Sequence, residues 1–144
     1  MAKRSADARW DGTLMDGSGQ MKHGVGAYSG QYSFESRFGE GEGANPEELI
    51  GAAHAGCFSM NLSGTLEKEG HTPESIRTGV DVHLTPKDGG GYEISRIELH
   101  TRVRVPGVDA EELQRIAEEA ERTCPVSVAL GGVREITVDA ELEG

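Results

Sequence analysis

Residues 45–70, NPEELIGAAHAGCFSMNLSGTLEKEG, are the longest stretch of the chain without a strong breaker, and their reading decides the fold. Asn45 suits an N-cap, because its side-chain oxygen accepts from an otherwise orphaned N–H of the first turn. Pro46 follows at the first helical position, where a missing N–H costs nothing. Glu47 and Glu48 put negative charge at the positive end of the helix dipole. Gly70 offers a left-handed cap, and Pro73 prevents continuation. The stretch therefore predicts one helix with marked ends. Its middle is unusual: Gly51, Ala52, Ala53, Ala55 and Gly56 are all small and lead straight into Cys57. Glycine in a helix interior costs about 1 kcal/mol relative to alanine. Two of them predict that something packs very close to this backbone.

On the N-terminal side, Ala6 to Met15 alternates with period 2, the pattern of a half-buried strand. Asp16-Gly17 is a hairpin turn signal, with Gly19 to His23 as the return strand. Gly24 to Gly30 reads as a glycine-rich loop. It lacks the Lys-Ser/Thr of a phosphate loop and the strand–turn–helix setting of a dinucleotide site. Gln31 to Phe38 reads as a third strand, followed by a loop over Gly39 to Ala44. On the C-terminal side, Ile76 to Leu84 and Tyr92 to Val105 alternate as two strands around a flexible connection at Lys87 to Gly91. A phase slip near Ser95-Arg96 predicts a bulge. Asp109 and Glu112 resemble a capping box. Leu113, Ile116, Ala117 and Ala120 mark the buried stripe of an amphipathic helix. Cys124-Pro125 breaks that helix and starts a short second one over Val126 to Leu130. Val133 to Leu142 is a last strand. This order predicts an α+β fold, with mainly antiparallel sheets packed around the long central helix. A chain of 144 residues predicts a single domain over 1–144.

The formal net charge of -11 argues against nucleic acid or an anionic membrane as a partner, since both require clustered Lys and Arg. No apolar run reaches the length of a membrane span. The start MAKRSADARW has no apolar segment behind its basic residues, so no signal peptide is expected and a cytoplasmic location is. In that compartment two cysteines are expected as thiols rather than as a structural disulfide. Aromatic residues make up only 5 % of the chain, which predicts a thin core shared with a partner.

Asn45-Pro46-Glu47-Glu48-Leu49, then Ala-Ala-His-Ala-Gly-Cys-Phe-Ser-Met over 52–60, then Cys124-Pro125-Val126-Ser127 together resemble the OsmC/Ohr family. The OsmC branch is the nearer of the two. The similarity extends over nearly the whole chain, including the Trp10 strand and Ser36-Arg37-Phe38. The resemblance implies a thiol-dependent peroxidase that reduces organic hydroperoxides, and hydrogen peroxide less well. It implies an intertwined homodimer with two sites at the subunit interface. It also implies that Cys57 is the peroxidatic cysteine, that Cys124 resolves it, and that Arg37 and Glu47 assist. An external thiol or dithiol would return the electrons.

The chemistry also stands on the residues. Peroxide reduction needs a thiolate, which becomes a sulfenic acid. A second thiol condenses with that acid to give a reducible disulfide. The dipole of its own helix cannot activate Cys57, which lies about 15 Å of rise beyond Glu47, because the dipole effect fades after the first turn. Arg37 suits the role of a cation brought from elsewhere, and Glu47 could hold it in a bidentate pair. If the helix is continuous, Arg37 and Glu47 of one subunit would serve Cys57 and Cys124 of the other.

Other readings stay open for the same residues. Cys57 and Cys124 could be inert core thiols, with the chain a dimeric module that binds a small apolar ligand. A peroxide sensor would share the first oxidation. His54 and Cys57 are spaced like two metal ligands, but two do not make a zinc site. No metal and no organic cofactor is expected, and His54 is expected to be packed. Phe58 and Met60 are expected in the core or along an apolar pocket.

Overall fold

The alternating stretches on the two sides of the long helix become two separate three-stranded sheets. The computed structural model describes residues 2–24, 26 and 28–144, so Val25 and Ala27 of the expected Gly24–Gly30 loop lie outside the described residues. The chain divides into two units, residues 1–49 and 50–144.

In the first unit, β1 (Ala6–Asp11), β2 (Ser18–His23) and β3 (Ser29–Tyr32) form an antiparallel meander. Trp10 pairs with Gly19 in the ladder, and its ring lies 5.3 Å from that of Tyr32. The expected strand over Gln31–Phe38 is corrected here. It ends at Tyr32, and Phe34–Phe38 is a short helix, α1. Ser33 caps it: the Ser33 hydroxyl accepts from Ser36 N–H, and the Ser36 hydroxyl accepts from Ser33 N–H. This reciprocal cap outweighs the Tyr32/Phe34 alternation that imitated a strand.

Helix α2 (Pro46–Lys68) is continuous. The Asn45 side chain accepts from Glu48 N–H at 2.8 Å, as expected of an N-cap. At the other end Gly70 has φ +88°, while His71 N–H reaches Leu66 C=O and Gly70 N–H reaches Glu67 C=O. That pair of bonds satisfies two of the orphan carbonyls.

In the second unit, β4 (Ser75–Pro86) and β5 (Tyr92–Arg104) pair antiparallel. The register passes from His83↔Arg96 to Leu84↔Ile94, so Ser95 is the extra residue, where the phase slip predicted a bulge. β6 (Glu135–Leu142) adds in parallel to β5. A parallel neighbour requires a long crossover, supplied by α3 (Ala110–Thr123) and α4 (Pro125–Ala129). The Asp109 side chain accepts from Glu112 N–H and caps α3. Leu113, Ile116, Ala117 and Ala120 are buried, as the stripe predicted. They join Phe58, Leu62 and Leu66 of α2 and Leu99 and Val103 of β5 in one core. Phe58 is fully buried, but Met60 is 79 % exposed, which corrects its expected core position. The close approach expected at the small residues is also only partly present. A side chain at Gly51 would meet Val82 at 3.4 Å, whereas one at Gly56 would meet nothing within 4 Å.

Candidate active site

Two cysteines distant in sequence meet inside the second unit. Cys57 sits mid-way along α2, and Cys124 ends α3 and begins α4. The Cys124 thiol donates to Cys57 Sγ at 3.2 Å. Both are free thiols. Cys124 is fixed through its backbone: its N–H reaches Ala120 C=O at 2.9 Å, and its C=O accepts from Val128 N–H at 2.9 Å. Pro125 opens α4, which leaves the next backbone donor, Val126 N–H, pointing at Cys57.

Burial pushes the Cys57 thiol above its ordinary value, the Val126 N–H opposes that, and the adjacent Cys124 adds to it. None of these groups is a cation. Among the described residues of its own unit, the groups that act on Cys57 are therefore one backbone donor and one neighbouring thiol, with no compensating charge.

Polar contacts flank the pair on both sides. His54, fully buried and one turn before Cys57, places Nε2 2.7 Å from the Ser127 hydroxyl. Burial lowers the pKa of His54, so the ring is neutral near pH 7. Burial pushes the Glu121 carboxyl up, against a hydrogen bond from Ser127 and the charge of Arg122. One turn after Cys57, Asn61 donates to Ala120 C=O at 2.8 Å and to the Thr123 hydroxyl at 2.7 Å.

The first unit holds the charged pair. Arg37, on α1, donates through Nε and Nη2 to a single oxygen of Glu47, at 3.0 and 2.7 Å. Glu47 rather than Glu48 is thus its partner, and the contact is not the bidentate one expected. The second oxygen, Oε2, is buried with no hydrogen-bond partner among the described residues. Asn45 serves twice here: beyond capping α2, its amide donates to Ser36 C=O at 3.2 Å and so ties α1 to the start of α2. The Arg37 guanidinium lies over the Phe38 ring at 5.1 Å. It also lines an open pocket of about 230 Å³ with Trp10, Leu14, Tyr32, Phe34 and Phe38.

The structure thus brings Cys57 to Cys124 and Arg37 to Glu47. Glu47 and Cys57 stand on one unbroken helix, separated by about 15 Å of rise. Sequence reasoning missed the Ser33–Ser36 cap, whose Ser-x-x-Ser spacing was a readable signal. It also missed the Val126 N–H, which no side-chain pattern announces. Among the described residues, Asp81, Glu98 and His100 could place three ligand atoms around a metal ion. His100 instead pairs with Asp81 at 3.3 Å, and Glu98 with His83 and Arg96.

The sequence matches the family model for OsmC-like protein over residues 39–141, a span that includes Glu47, Cys57 and Cys124, with Arg37 just ahead of it. The chain belongs to the OsmC-like protein family. The peroxiredoxin OsmC of Escherichia coli (strain K12) is 44% identical over 141 residues, covering 97% of this chain and 96% of that protein. An organic hydroperoxide resistance protein of Xanthomonas axonopodis pv. citri (strain 306) is 37% identical over 101 residues, 68% of this chain and 67% of its own. The fold has the same relatives. An organic hydroperoxide resistance protein OsmC from Legionella pneumophila superposes with a TM-score of 0.74 at 22% identity, covering 100% of both chains. Membership of the OsmC-like family agrees with the resemblance carried by the two cysteine motifs. Among the described residues no helix is long and apolar enough to cross a membrane.

Proposed function

We propose that this chain is a two-cysteine peroxidase that reduces organic hydroperoxides, and hydrogen peroxide less well, with residues 1–144 acting as one OsmC-like domain. The observation that carries the reading is the pair of free thiols 3.2 Å apart, one of them facing a backbone donor. The names of the relatives above, peroxiredoxin and organic hydroperoxide resistance protein, support the same class.

The Cys57 thiolate attacks the distal peroxide oxygen. The O–O bond breaks, an S–O bond forms, and the departing alkoxide takes a proton to leave as an alcohol. Cys124 then attacks the sulfenic sulfur. An S–S bond forms, the S–O bond breaks, and hydroxide leaves as water after taking the Cys124 proton. An external thiol or dithiol supplies two electrons to reopen the disulfide. Sulfur carries every electron, so the cycle calls for no metal or organic cofactor. A cytoplasmic setting suits it, since thiols there are kept reduced.

The working unit in this proposal is a homodimer with composite sites, in which Arg37, held by Glu47, faces Cys57 of the partner subunit. Four features support it. No cation acts on Cys57 within its own unit. Glu47 Oε2 is buried and unpaired among the described residues. Ala52, Ala53 and Gly56 form an exposed small-residue face on α2, with Met60 79 % exposed beyond it. The unbroken helix separates Glu47 from Cys57 of the same chain. The aromatic pocket beside Arg37 would then receive the organic group of the hydroperoxide.

Intact mass after one equivalent of cumene hydroperoxide, under denaturing thiol-blocking conditions, tests the cycle. Wild type should lose both thiols to one intramolecular disulfide. Cys124→Ser should stop at an oxidised Cys57. Two unmodified thiols after minutes would refute the peroxidase and favour a ligand-binding module.

A further inference from the structure

The cysteine pair is the middle rung of a short polar ladder. On α2 the rungs fall at His54, Cys57 and Asn61; opposite them stand Ser127, Cys124 and Ala120. The two sides step in opposite directions, one helical turn per rung. The outer rungs are hydrogen bonds of 2.7 and 2.8 Å, and the middle rung is the thiol contact of 3.2 Å. The contacts converge on Cys124 itself. Ala120 C=O, which accepts from Asn61, also accepts from Cys124 N–H. Ser127 lies in the first turn of α4, the helix whose N-cap is Cys124.

We infer that the His54–Ser127 and Asn61–Ala120 contacts are a positioning device for the resolving step: they hold Cys124 against α2 so that its sulfur meets the sulfenic acid on Cys57. This rests on the assignment of Cys57 as nucleophile and Cys124 as resolver. The chemistry makes such a device useful. Between the two oxidations Cys57 carries an added oxygen, which must fit beside Cys124 without displacing it. If α4 swung away, the sulfenic acid would wait, and a second peroxide would take it to the irreversible sulfinic acid. Two contacts one turn on either side resist that swing while leaving the sulfurs themselves free to change partners.

The nature of the His54 rung fits a clamp rather than a proton donor. The ring is fully buried, and Nδ1 has no hydrogen-bond partner among the described residues. An orphan lone pair is tolerated better than an orphan N–H, so the proton belongs on Nε2, which donates to Ser127. Ser127 also opposes the burial that raises the Glu121 carboxyl of α3. The His54–Ser127 contact thus joins α2 to α4, and the Asn61–Ala120 contact joins α2 to α3, on either side of the cysteines. None of these side chains touches the peroxide in this reading; they act through Cys124.

The two steps separate in rapid mixing. Wild type, Ser127→Ala, Asn61→Ala and Ser127→Thr are mixed with cumene hydroperoxide, quenched at intervals with dimedone, and weighed intact. The sulfenic acid should appear in all four at rates within about twofold, while closure of the disulfide should slow on the order of tenfold in the two alanine variants, as a small misplacement of reacting groups would cause. At excess peroxide those variants should accumulate sulfinic acid on Cys57. Ser127→Thr keeps the hydroxyl and should close its disulfide like wild type. Should Ser127→Ala not fold, Asn61→Ala decides alone. Closure at the wild-type rate in the folded alanine variants, or an equal fall in both steps, would overturn the positioning role. Wild type that forms no disulfide would instead remove the two-cysteine assignment beneath it.

Discussion

The two units handle polarity in opposite ways. Around the cysteines, the second unit keeps its groups neutral: Cys124 is fully buried, His54 is neutral, and Cys57 is pushed away from ionisation. The first unit keeps a full charge, Arg37, on one buried carboxylate oxygen beside an open aromatic pocket. The contrast sets a thiol pair placed for disulfide closure, whose first member burial holds against ionisation, beside a charged pair that stands in the other unit. The second unit sets the distance between the sulfurs. No cation is among the groups that shift its first sulfur. In the composite site proposed above, a single folded chain would hold its two sulfurs in place and would gain the cation only from a partner subunit.

The sharpest way to break this comparison is to remove the nucleophile. Cys57→Ser should lower hydroperoxide consumption by at least about 10³-fold, since covalent chemistry through sulfur is lost. Retained turnover would mean that the second unit is not the reacting one. Almost as large is the effect expected of Phe58→Ala, which empties the middle of the core under Cys57 and should cost about 3–5 kcal/mol in denaturant unfolding. An unchanged midpoint would show that this unit is not held by its core.

Arg37→Met should lower the rate of Cys57 oxidation on the order of 10²-fold, the usual loss for one electrostatic contact. It should also move the pH–rate profile to higher pH. A hybrid of Arg37→Met and Cys57→Ser subunits makes the division explicit. In a composite site one complete set survives and activity returns. If each chain serves itself, the hybrid stays as poor as Arg37→Met alone.

Two smaller effects concern local contacts. His54 has a pKa lowered from 6.5, so below that value the unfolded chain binds a proton that the folded one resists. Its contribution to stability is complete above pH 6.5 and is lost as pH falls, and His54→Asn should flatten this part of the denaturation curve. Asn45→Ala should cost about 1 kcal/mol as a lost cap. It should also reduce activity, because Asn45 ties α1 to α2. Loss of stability without loss of activity would separate the two roles.

The sequence was most readable where backbone demands and side-chain pattern agreed. Asn45-Pro46 and Gly70 marked both ends of α2, and the spacing of Leu113, Ile116, Ala117 and Ala120 located the buried face of α3. The bulge at Ser95 was visible as a break in alternation. Reading failed where two patterns competed. Tyr32 and Phe34 imitated a strand, but Ser33 and Ser36 satisfied each other's N–H groups and turned the chain into α1. Met60 looked like core because it is apolar, yet a face of alanine and glycine decides its side of the helix. The meeting of Cys57 with Cys124 depends on how the crossover to β6 packs, a long-range matter that only the family resemblance anticipated. That β6 runs parallel was not visible in its alternation at all.

The crossover has one more consequence. Closing Cys57 to Cys124 would make a covalent ring across a separation of 67 positions, a ring that contains β4, β5 and α3. A ring of that size removes loop-closure entropy from the unfolded chain worth about 4 kcal/mol in the chain-entropy account. The oxidised protein would then be the sturdier form, and the reduced protein, ready for the next peroxide, the more fragile one. Each turnover would pass through a state harder to unfold than the state that begins it. Heat or proteolysis would select against the enzyme chiefly while it waits.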